Sequence, residues 1–416
     1  MSEWEEITLG EIATITMGQS PKGEDCNTDG HGLPLLNGPT EFGHRHPYPV
    51  QFTTDSKKKA VCGDLLFCVR GSTTGRMNWA DQEYAIGRGI ASIRSKCGTN
   101  VQPYIKAVID QHLKELLAVA TGSTFPNVSR DDLSKLRVLS PPSDVRDFIS
   151  RLANTVDRKI SNLRQQNETL ERIAQTLFKH WFVDFEFPNE DGKPYKSSGG
   201  EMVRSELGEI PAGWRVGRLG EYIDIQHGYS FRSEDFSEEG NPVVRMGNFL
   251  NGGGLDFHQD KTKFFSGEIN ERFLLNHGDL VVALSDITQN GIILGNPGFI
   301  PSDGKQYLLN QRVGKVKIQG TINKLYLYCL MKTTQYKSWL KNSANSTTVL
   351  NTSPSRIGEL LISLPPNLNL LNELQNTLSP LFKKIESNVF NIQTLTKTRD
   401  VLLPKLMSGK LRITAS

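Results

Sequence analysis

The residues of this chain best placed to do chemistry are polar side chains beside glycines, and they occur in two groups. Arginine can donate two parallel hydrogen bonds, whereas the amides of asparagine and glutamine both donate and accept. Serine, threonine and lysine suit phosphate oxygens, and glycine lets backbone N–H groups approach a ligand closely. These residue types favour contact with a polar, anionic partner.

The first group consists of Gln19, Ser20, Lys22, Asn37, Arg70, Ser72, Thr73, Arg76, Arg88, Ser123 and Thr124. The second group consists of Gln226, Tyr229, Ser230, Arg245, Asn248, Ser285, Thr288, Asn290, Arg312, Ser346 and Thr347. Arginine matches the guanine edge, and asparagine or glutamine matches adenine. We interpret both groups as DNA contacts, with an ordinary solvated loop as the alternative for any single residue.

Catalytic motifs are missing from the chain. It contains no G-x-x-x-x-G-K-[ST], no H-E-x-x-H and no G-x-S-x-G. The stretch Ser140-Pro141-Pro142-Ser143 approaches the [DNS]-P-P-[YFW] motif of amino-methyltransferases, but it lacks the aromatic ring that stacks on a flipped base. Asp184, Glu186 and Lys193 resemble a nuclease set, but they fall at a helix end and in a linker. We expect no catalytic residue and no metal site.

Composition narrows the class of protein further. Five scattered cysteines without a C-x-x-C pair indicate reduced thiols. The net charge of +3 permits nucleic-acid binding without demonstrating it. No apolar run approaches the roughly 18 residues of a membrane span, and the N-terminus has no secretory h-region. We therefore expect a cytoplasmic protein without membrane contact.

The two polar groups lie on two copies of one framework. The repeated residues are Trp4 and Trp214, Leu9-Gly10-Glu11 and Leu219-Gly220-Glu221, Gly18 and Gly228, Gly63-Asp64-Leu65 and Gly278-Asp279-Leu280, Tyr104 and Tyr326, and Pro141-Pro142 and Pro365-Pro366. The framework recurs while the loop chemistry differs. This is what two readers of different sequences would show, whereas two copies of one active site would keep the chemistry.

Short strands and one helix must position these loops in each half. In the first half the pattern predicts strands at 12–16, 33–36, 64–69, 90–94 and 133–139, and a helix at 101–119. In the second half it predicts strands at 222–225, 242–246, 279–284, 311–318 and 358–364, and a helix near 323–340. Residues 187–205 are polar and rich in turn formers, which is typical of a linker.

A heptad pattern follows each Pro-Pro pair. The second seam is Leu371, Leu374, Leu378, Leu381, Ile385, Asn388, Ile392, Leu395, Arg399, Leu402 and Leu406, and the first is Val156, Ile160, Leu163, Asn167, Leu170, Ala174, Leu177 and Trp181. Each helix would be about 55–60 Å long. We predict antiparallel packing that holds the two domains apart. Pro380 and Pro404 interrupt the pattern of the second helix, and Pro404 is expected to mark its end. An Asn167–Asn388 pair would fix the register, and the alternative is that both face solvent.

The predicted fold is α+β, with two pseudo-twofold-related mixed α/β target recognition domains separated by two long antiparallel coiled-coil helices. The expected boundaries are 1–142 for the first domain and 143–186 for the first helix. The linker is 187–205, the second domain 206–366, and the second helix with a C-terminal tail 367–416.

This ordered set resembles the specificity (S) subunit of type I restriction-modification systems. The likeness rests on the Trp-x4-Leu-Gly-Glu openings, the Gly-Asp-Leu strands, the Pro-Pro helix entries and the helix ends at 177–185 and 402–411. It covers essentially the whole chain, and only the ordered set is specific.

The resemblance implies that each domain reads one half of a bipartite, asymmetric double-stranded DNA site, and that the helices set the spacer. It implies docking of two modification (methyltransferase) subunits and two restriction (translocase/nuclease) subunits. It places S-adenosylmethionine, ATP and Mg on those partners, with no cofactor and no catalysis on this chain. The alternatives are a stand-alone sequence-specific DNA-binding regulator, and a methyltransferase or nuclease acting alone.

Overall fold

The computed structural model describes residues 4–120, 126–257, 262–287, 290–343 and 350–411. The chain divides into two compact units. Unit 1 comprises Met1–Gln166 with Asn388–Ser416, and unit 2 comprises Asn167–Ser387. Each unit therefore contains one mixed α/β domain and one segment of each long helix.

The elements of the first half are β1 (Glu5–Thr8), α1 (Leu9–Ile12), β2 (Ala13–Met17), β3 (Cys26–Asn27), β4 (Leu33–Leu36), β5 (Gln51–Thr53), β6 (Lys59–Ala60), β7 (Leu65–Cys68), β8 (Met77–Trp79), β9 (Tyr84–Ile86), β10 (Ile90–Ser95), α2 (Gln102–Val119), α3 (Arg130–Ser134), β11 (Arg137–Ser140) and α4 (Ser143–Phe182). Those of the second half are β12 (Met202–Ser205), β13 (Gly208–Pro211), β14 (Arg215–Arg218), β15 (Ile223–His227), β16 (Asn241–Val244), β17 (Lys263–Phe265), β18 (Leu274–Leu275), β19 (Leu280–Ala283), β20 (Ser285–Asp286), β21 (Pro297–Phe299), β22 (Tyr307–Leu309), β23 (Val313–Ile318), α5 (Lys324–Leu330), α6 (Thr334–Ser343), β24 (Leu350–Asn351), α7 (Pro354–Gly358), β25 (Leu361–Leu364) and α8 (Asn369–Met407).

Both units contain the same two sheets. One is antiparallel, in the order β2-β10-β7-β8 in unit 1 and β15-β23-β19-β21 in unit 2. The other contains one parallel pair, β4 with β9 in unit 1 and β16 with β22 in unit 2. The predicted class of two mixed α/β repeats with two long helices is confirmed.

A fully apolar strand lies at the centre of each unit. In β7, Leu65 and Phe67 face the core that includes α2, whereas Leu66 and Cys68 face a second cluster. In β19, Leu280 and Val282 face one core, whereas Val281 and Ala283 face another. Because successive side chains of a strand point to opposite faces, burial on both faces requires a continuous apolar run.

The two long helices are unbroken, with 40 residues in α4 and 39 in α8. The predicted interruption of the second helix at Pro380 is therefore wrong, whereas Pro404 lies in the last turn of α8, which ends at Met407. A proline inside a helix costs about 3 kcal/mol because it loses a hydrogen bond and crowds the preceding turn. Leu374 and Leu378, both fully buried, flank Pro380 on its N-terminal side and offset this cost at roughly 1.5–3 kcal/mol each.

The helices run antiparallel within each unit. In unit 1, Asn388 Nδ2 donates to Gln166 Oε1 at 3.3 Å, and Arg399 Nη1 lies 3.0 Å from Asp157 Oδ1. In unit 2, Asn167 Nδ2 donates to the carbonyl of Ile385 at 3.5 Å. Asn388 is completely buried, so it does not face solvent. The Asn167–Asn388 pairing stays a prediction.

A charged cluster connects three helices of unit 1. Asp157 on α4 lies 3.1 Å from Lys106 Nζ on α2 and 3.0 Å from Arg399 Nη1 on α8. Burial alone would raise the pKa of Asp157, but the two cations hold it below its ordinary value. This cluster explains why an arginine occupies an otherwise apolar helix seam.

Local capping changes three predicted elements. Ser129 and Asp132 form a capping box, so the first part of the predicted strand 133–139 is the helix α3. The Ser353 hydroxyl accepts from Arg356 N–H and caps α7, which ends where the predicted strand 358–364 begins. The predicted helix 323–340 is two helices, because the Thr333 hydroxyl accepts from Tyr336 N–H and starts a new one.

The predicted linker 187–205 carries ordered structure. Its end forms β12, which pairs with β13 in a hairpin. Phe187 stacks on Tyr195 at 4.7 Å and on Trp214 at 5.4 Å. Aromatic packing therefore fastens this segment to the start of the second domain.

We predict that Asp157→Ala lowers the free energy of unfolding by about 1–3 kcal/mol, because it removes the carboxylate that Lys106 and Arg399 share and leaves each half-buried cation with one acidic partner, Asp110 and Asp400 respectively. Urea unfolding of the full chain measures this loss. Lys159→Ala, on the exposed face of the same helix, serves as the control and should stay within about 0.5 kcal/mol of the wild type. A loss below 1 kcal/mol for Asp157→Ala would show that the cluster does not hold the three helices.

Candidate nucleic-acid interface

The ends of three strand segments meet in unit 1. After β2, Gly18 N–H donates to the carbonyl of Ile90 at 2.9 Å, and Gln19 N–H donates to that of Ile86 at 2.9 Å. A Cβ on Gly18 would lie 2.2 Å from the carbonyl oxygen of Gly87, and one on Gly87 would lie 2.1 Å from Asn37 Oδ1. Only glycine permits this approach, which brings Gln19, Ser20, Asn37 and Arg88 together.

A hydrogen-bond relay orders the side chains of this cluster. Arg88 N–H donates to Ser20 Oγ at 3.2 Å, and Ser20 Oγ donates to Asn37 Oδ1 at 3.4 Å. Asn37 Nδ2 then donates to Gln51 Oε1 at 3.1 Å, so the relay reaches the side chain of Gln51. Gln51 is exposed, and the sequence prediction missed it because only the pairing of β4 with β5 brings it beside Asn37.

The loop 70–76 lies next to this cluster. Val69 N–H donates to the carbonyl of Gly89 at 2.9 Å, which places the start of the loop beside Arg88. The Thr74 hydroxyl lies 2.8 Å from the carbonyl of Gly71 and 2.9 Å from that of Pro126. Arg70, Ser72 and Arg76 are exposed.

Two members of the first group are partly committed to the protein itself. Thr73 is half-buried, with its hydroxyl 3.7 Å from the sulfur of Cys68. Lys22 is exposed and lies 3.3 Å from Glu24, so its charge is already paired. The outward chemistry of unit 1 therefore rests mainly on its arginines and amides.

The corresponding strand end of unit 2 follows β15. Tyr229 N–H donates to the carbonyl of Leu309 at 2.8 Å, and the carbonyl of Tyr229 accepts from Gln311 N–H at 2.8 Å. Leu284 N–H donates to the carbonyl of Arg312 at 3.0 Å. Tyr229, Ser230 and Arg312 are exposed. Tyr229 forms a β-bridge with Asn310, two residues before Arg312.

Other residues of the second group are less accessible. Asn248 is fully buried, accepting from Arg245 N–H at 2.9 Å and donating to the carbonyl of Asp256 at 3.0 Å, so it braces its own loop. Ser285 is buried in β20 opposite Asn351. Gln226 Nε2 donates to the carbonyl of Arg272 at 2.5 Å. Sequence patterns cannot separate a buried loop asparagine from an exposed one, because both lie beside glycine.

Of the remaining predicted residues, Arg245 is half-buried with its guanidinium 5.2 Å from the ring of Phe236, and Asn290 is exposed. Ser123, Thr124, Thr288, Ser346 and Thr347 lie outside the described residues.

The exposed arginines at these strand ends differ from those of the framework. Arg94 forms two hydrogen bonds with Asp64, and Arg356 lies 2.6 Å from Glu359. In the described ranges, no acidic group lies within ion-pair distance of Arg70, Arg88 or Arg312, nor of Arg76. Uncompensated cations on strand-end loops suit an anionic ligand in both units.

A buried lysine anchors the segment of unit 2 that carries Asn290. Lys337 Nζ on α6 donates to the carbonyl of Leu294 at 2.8 Å and to Asn296 Oδ1, and Asn296 Nδ2 donates to the carbonyl of Leu250 at 2.7 Å. Burial lowers the pKa of Lys337 to about 7, assisted by nearby Lys332 and opposed by Asp286.

No cluster of three or more His, Cys, Asp or Glu side chains suited to a metal ion occurs in the part of the chain that the structure describes. Among the same residues, every helix is too short or too polar to cross a membrane.

The fold and the site define a duplicated α+β protein that presents uncompensated arginines on the strand-end loops of both units. The chain belongs to the type I restriction modification DNA specificity domain family, whose model matches residues 1–172 and 211–396. The two matched segments reflect the internal repeat, and the predicted resemblance to specificity subunits is confirmed.

Relatives extend this likeness along the whole chain. The type I restriction enzyme MjaIX specificity subunit of Methanocaldococcus jannaschii is 26% identical, over 99% of this chain and 94% of the relative. The HindI specificity subunit of Haemophilus influenzae is 22% identical, over 99% of this chain and all (100%) of its own. The crystal structure of a type I restriction-modification system S subunit from M. genitalium shares the fold, with a TM-score of 0.55, 18% identity, and coverage of 99% of this chain and 97% of that one.

We predict that the stability of the chain rises with pH above 7 through Lys337. Its folded pKa of about 7 lies below the ordinary 10.5, so between these values the unfolded chain binds the proton and the folded unit does not. Unfolding free energies at pH 7, 8 and 9 should therefore rise more steeply for the wild type than for Lys337→Met. Lys341→Met, at an exposed position of α6, should keep the wild-type slope; equal slopes for all three proteins would contradict the assignment.

Proposed function

We propose that this chain is the DNA sequence-recognition subunit of a type I restriction-modification complex, and that each unit reads one half of a bipartite, asymmetric site. One observation carries the proposal: both units place exposed arginines without acidic partners, among the described residues, on the loops at the ends of equivalent strands. The framework glycines Gly18 and Gly228 recur, whereas the residues directly after them, Gln19 and Tyr229, differ. Different contact residues on one scaffold suit two different half-sites.

In this proposal the chain is not catalytic, and the chemistry belongs to its partners. These are two modification subunits that bind S-adenosylmethionine, and two restriction subunits that use ATP and Mg. The methyltransferase-like stretch supports this division, because Ser143 begins α4 and the carbonyl of Pro142 accepts from Arg146 N–H. The stretch therefore acts as a helix entry. A cytoplasmic location, where chromosomal DNA is accessible, is part of the same proposal.

We further propose that α4 and α8 set the length of the unread spacer and dock the modification subunits. Both helices run unbroken from one unit into the other. Their outer faces carry exposed apolar side chains, with exposed fractions of 49% for Ile173, 55% for Phe390 and 46% for Val401. Such residues on a polar helix surface suit a protein partner.

The second candidate function is a stand-alone DNA-binding regulator, which the same strand-end arginines would serve. The two candidates differ in their partners. Co-purification with a subunit that carries an N-P-P-F or N-P-P-Y motif supports the specificity subunit. Specific DNA binding by the chain without such a partner, and without site-specific methylation in cells, would support the regulator.

We predict that Arg70→Ala, Arg76→Ala or Arg88→Ala alters recognition of one half-site only, while Arg312→Ala alters the other. Loss of one bidentate base contact costs about 1–3 kcal/mol of discrimination. Single-molecule sequencing of methylated sites, with each variant as the only specificity subunit, measures the effect.

The matched controls for these variants are Arg137→Ala and Arg204→Ala, which are exposed positions away from the strand-end loops of units 1 and 2. They should leave the methylated sites unchanged. If one arginine variant relaxed both half-sites, the two-reader proposal would be wrong.

We predict that seven residues inserted into both helices lengthen the permitted spacer. Insertion after Gln166 in α4 and after Ser387 in α8 leaves the residues of each unit intact. Seven residues add roughly 10 Å of helix, which corresponds to about three base pairs of B-DNA. Methylated-site mapping gives the new spacer. Insertion into α4 alone should abolish activity, and an unchanged spacer with both insertions would show that the helices are not the ruler.

A further inference from the structure

Aromatic rings of unit 2 form a continuous row beside the strand-end loop. Tyr229 packs edge-on against Phe231 at 5.0 Å and against Phe273 at 5.5 Å. Phe231 in turn contacts Phe265 at 5.2 Å and Phe236 at 6.0 Å. We call these five rings the aromatic row.

An arginine lies at each end of the aromatic row. The guanidinium carbon of Arg272 is 4.4 Å from the ring centre of Phe273, and that of Arg245 is 5.2 Å from the ring centre of Phe236. Arg272 is exposed, and no acidic partner of it occurs within the described ranges. Two cations beside an aromatic surface match a ligand that combines flat rings with negative charge.

Tyr229 is the exposed ring near the middle of the aromatic row. Its ring is 41% exposed, whereas Phe231 and Phe273 on either side are 8% and 7% exposed. Its backbone N–H and carbonyl are both bonded, to Leu309 and Gln311, and two buried rings hold its side chain. The tyrosine ring is thus fixed in place before any ligand arrives, so little conformational entropy is lost on stacking.

A small hydrophobic core alone does not account for this arrangement. Phe231 does belong to such a core with Val243 and Leu308. Unit 1, however, has Gln19 and Pro21 after Gly18, where unit 2 has Tyr229 and Phe231 after Gly228. The shared framework therefore folds without an aromatic residue at either position, and Tyr229 keeps 41% of its surface exposed.

We propose that Tyr229 stacks on an unstacked nucleobase within the half-site read by unit 2, while Arg272 and Arg245 contact the phosphates that flank this base. The inference rests on the proposed function, because it requires that unit 2 bind DNA. Aromatic side chains stack on any base, so Tyr229 supplies affinity and favours a half-site with an easily deformed base-pair step. The identity of the bases is read by other residues. Unit 1 has the amides of Asn37 and Gln51 at this place, and it reads its half-site without stacking on an unstacked base.

The test uses the full chain assembled with its modification subunits, and duplexes that carry 2-aminopurine at each position of the second half-site in turn. For the wild type we expect one position whose fluorescence differs from that in the free duplex. Tyr229→Ala should abolish this change and weaken binding roughly tenfold or more, whereas Tyr229→Phe and Tyr229→Trp should keep both. Arg272→Ala should reduce the slope of log K against log salt by about one.

Three outcomes overturn the proposal: no position responds in the wild type, Tyr229→Ala responds as the wild type does, or Tyr229→Phe behaves like Tyr229→Ala. A signal that persists in Tyr229→Ala belongs to base extrusion by a partner subunit. Thermal unfolding and binding to the first half-site show whether Tyr229→Ala has folded. Gln19→Ala is the matched control in unit 1 and should change first-half-site affinity without any fluorescence change.

The experiments distinguish a failure of the stacking inference from a failure of the proposed function. If the arginine variants of each unit shift methylation of separate half-sites but no 2-aminopurine position depends on Tyr229, only the stacking inference fails. If the arginine variants have no effect on methylated sites, the proposed function fails first.

Discussion

The structure depends on the apolar side chains that each long helix contributes to the core of a unit. The other residues of that core come from a different part of the chain. The end of α8 contributes Leu403, Leu406 and Met407 to the core that contains Leu9 near the N-terminus. The end of α4 contributes Phe178, Trp181 and Phe182 to the core that contains Trp214. Each buried side chain of this size stabilises its core by roughly 1.5–3 kcal/mol. Neither unit can complete its apolar core from one half of the sequence alone.

Ion pairs between the long helices and the mixed domains accompany this exchange. Asp157 joins Lys106 and Arg399 in unit 1, and in unit 2 Glu171 forms an ion pair with Lys332 and lies 3.3 Å from the hydroxyl of Tyr328. A buried ion pair adds little net stability over apolar packing, but any helix shift that separates its members is costly. These charges therefore fix the position of each helix against the mixed domain that it completes, which apolar residues alone specify weakly.

Sequence reasoning found the features that depend on local periodicity. It found the repeat, the strands at 64–69 and 279–284, the heptad seams and the loops that carry Arg70, Arg88 and Arg312, because each leaves a regular spacing in the chain. It missed features that arise from long-range pairing. Gln51 joins the polar cluster only through the pairing of β5 with β4, and Arg272 reaches the aromatic row only because its neighbour Phe273 packs against Tyr229. Asn248 looked like a contact residue, but burial commits both ends of its amide to backbone partners.

The close backbone approach at Gly18 and Gly228 explains how one scaffold can carry two different surfaces. A Cβ would lie 2.2 Å from a carbonyl oxygen at Gly18 and 2.3 Å from one at Gly228, so both positions are closed to other residues. The residue that follows has its backbone N–H bonded to a neighbouring strand segment, and it is exposed in both units. It is Gln19 in unit 1 and Tyr229 in unit 2, where the ring packs against Phe231 and Phe273. The backbone approach at the glycine is therefore the same in both units, while the exposed side chain that follows it differs.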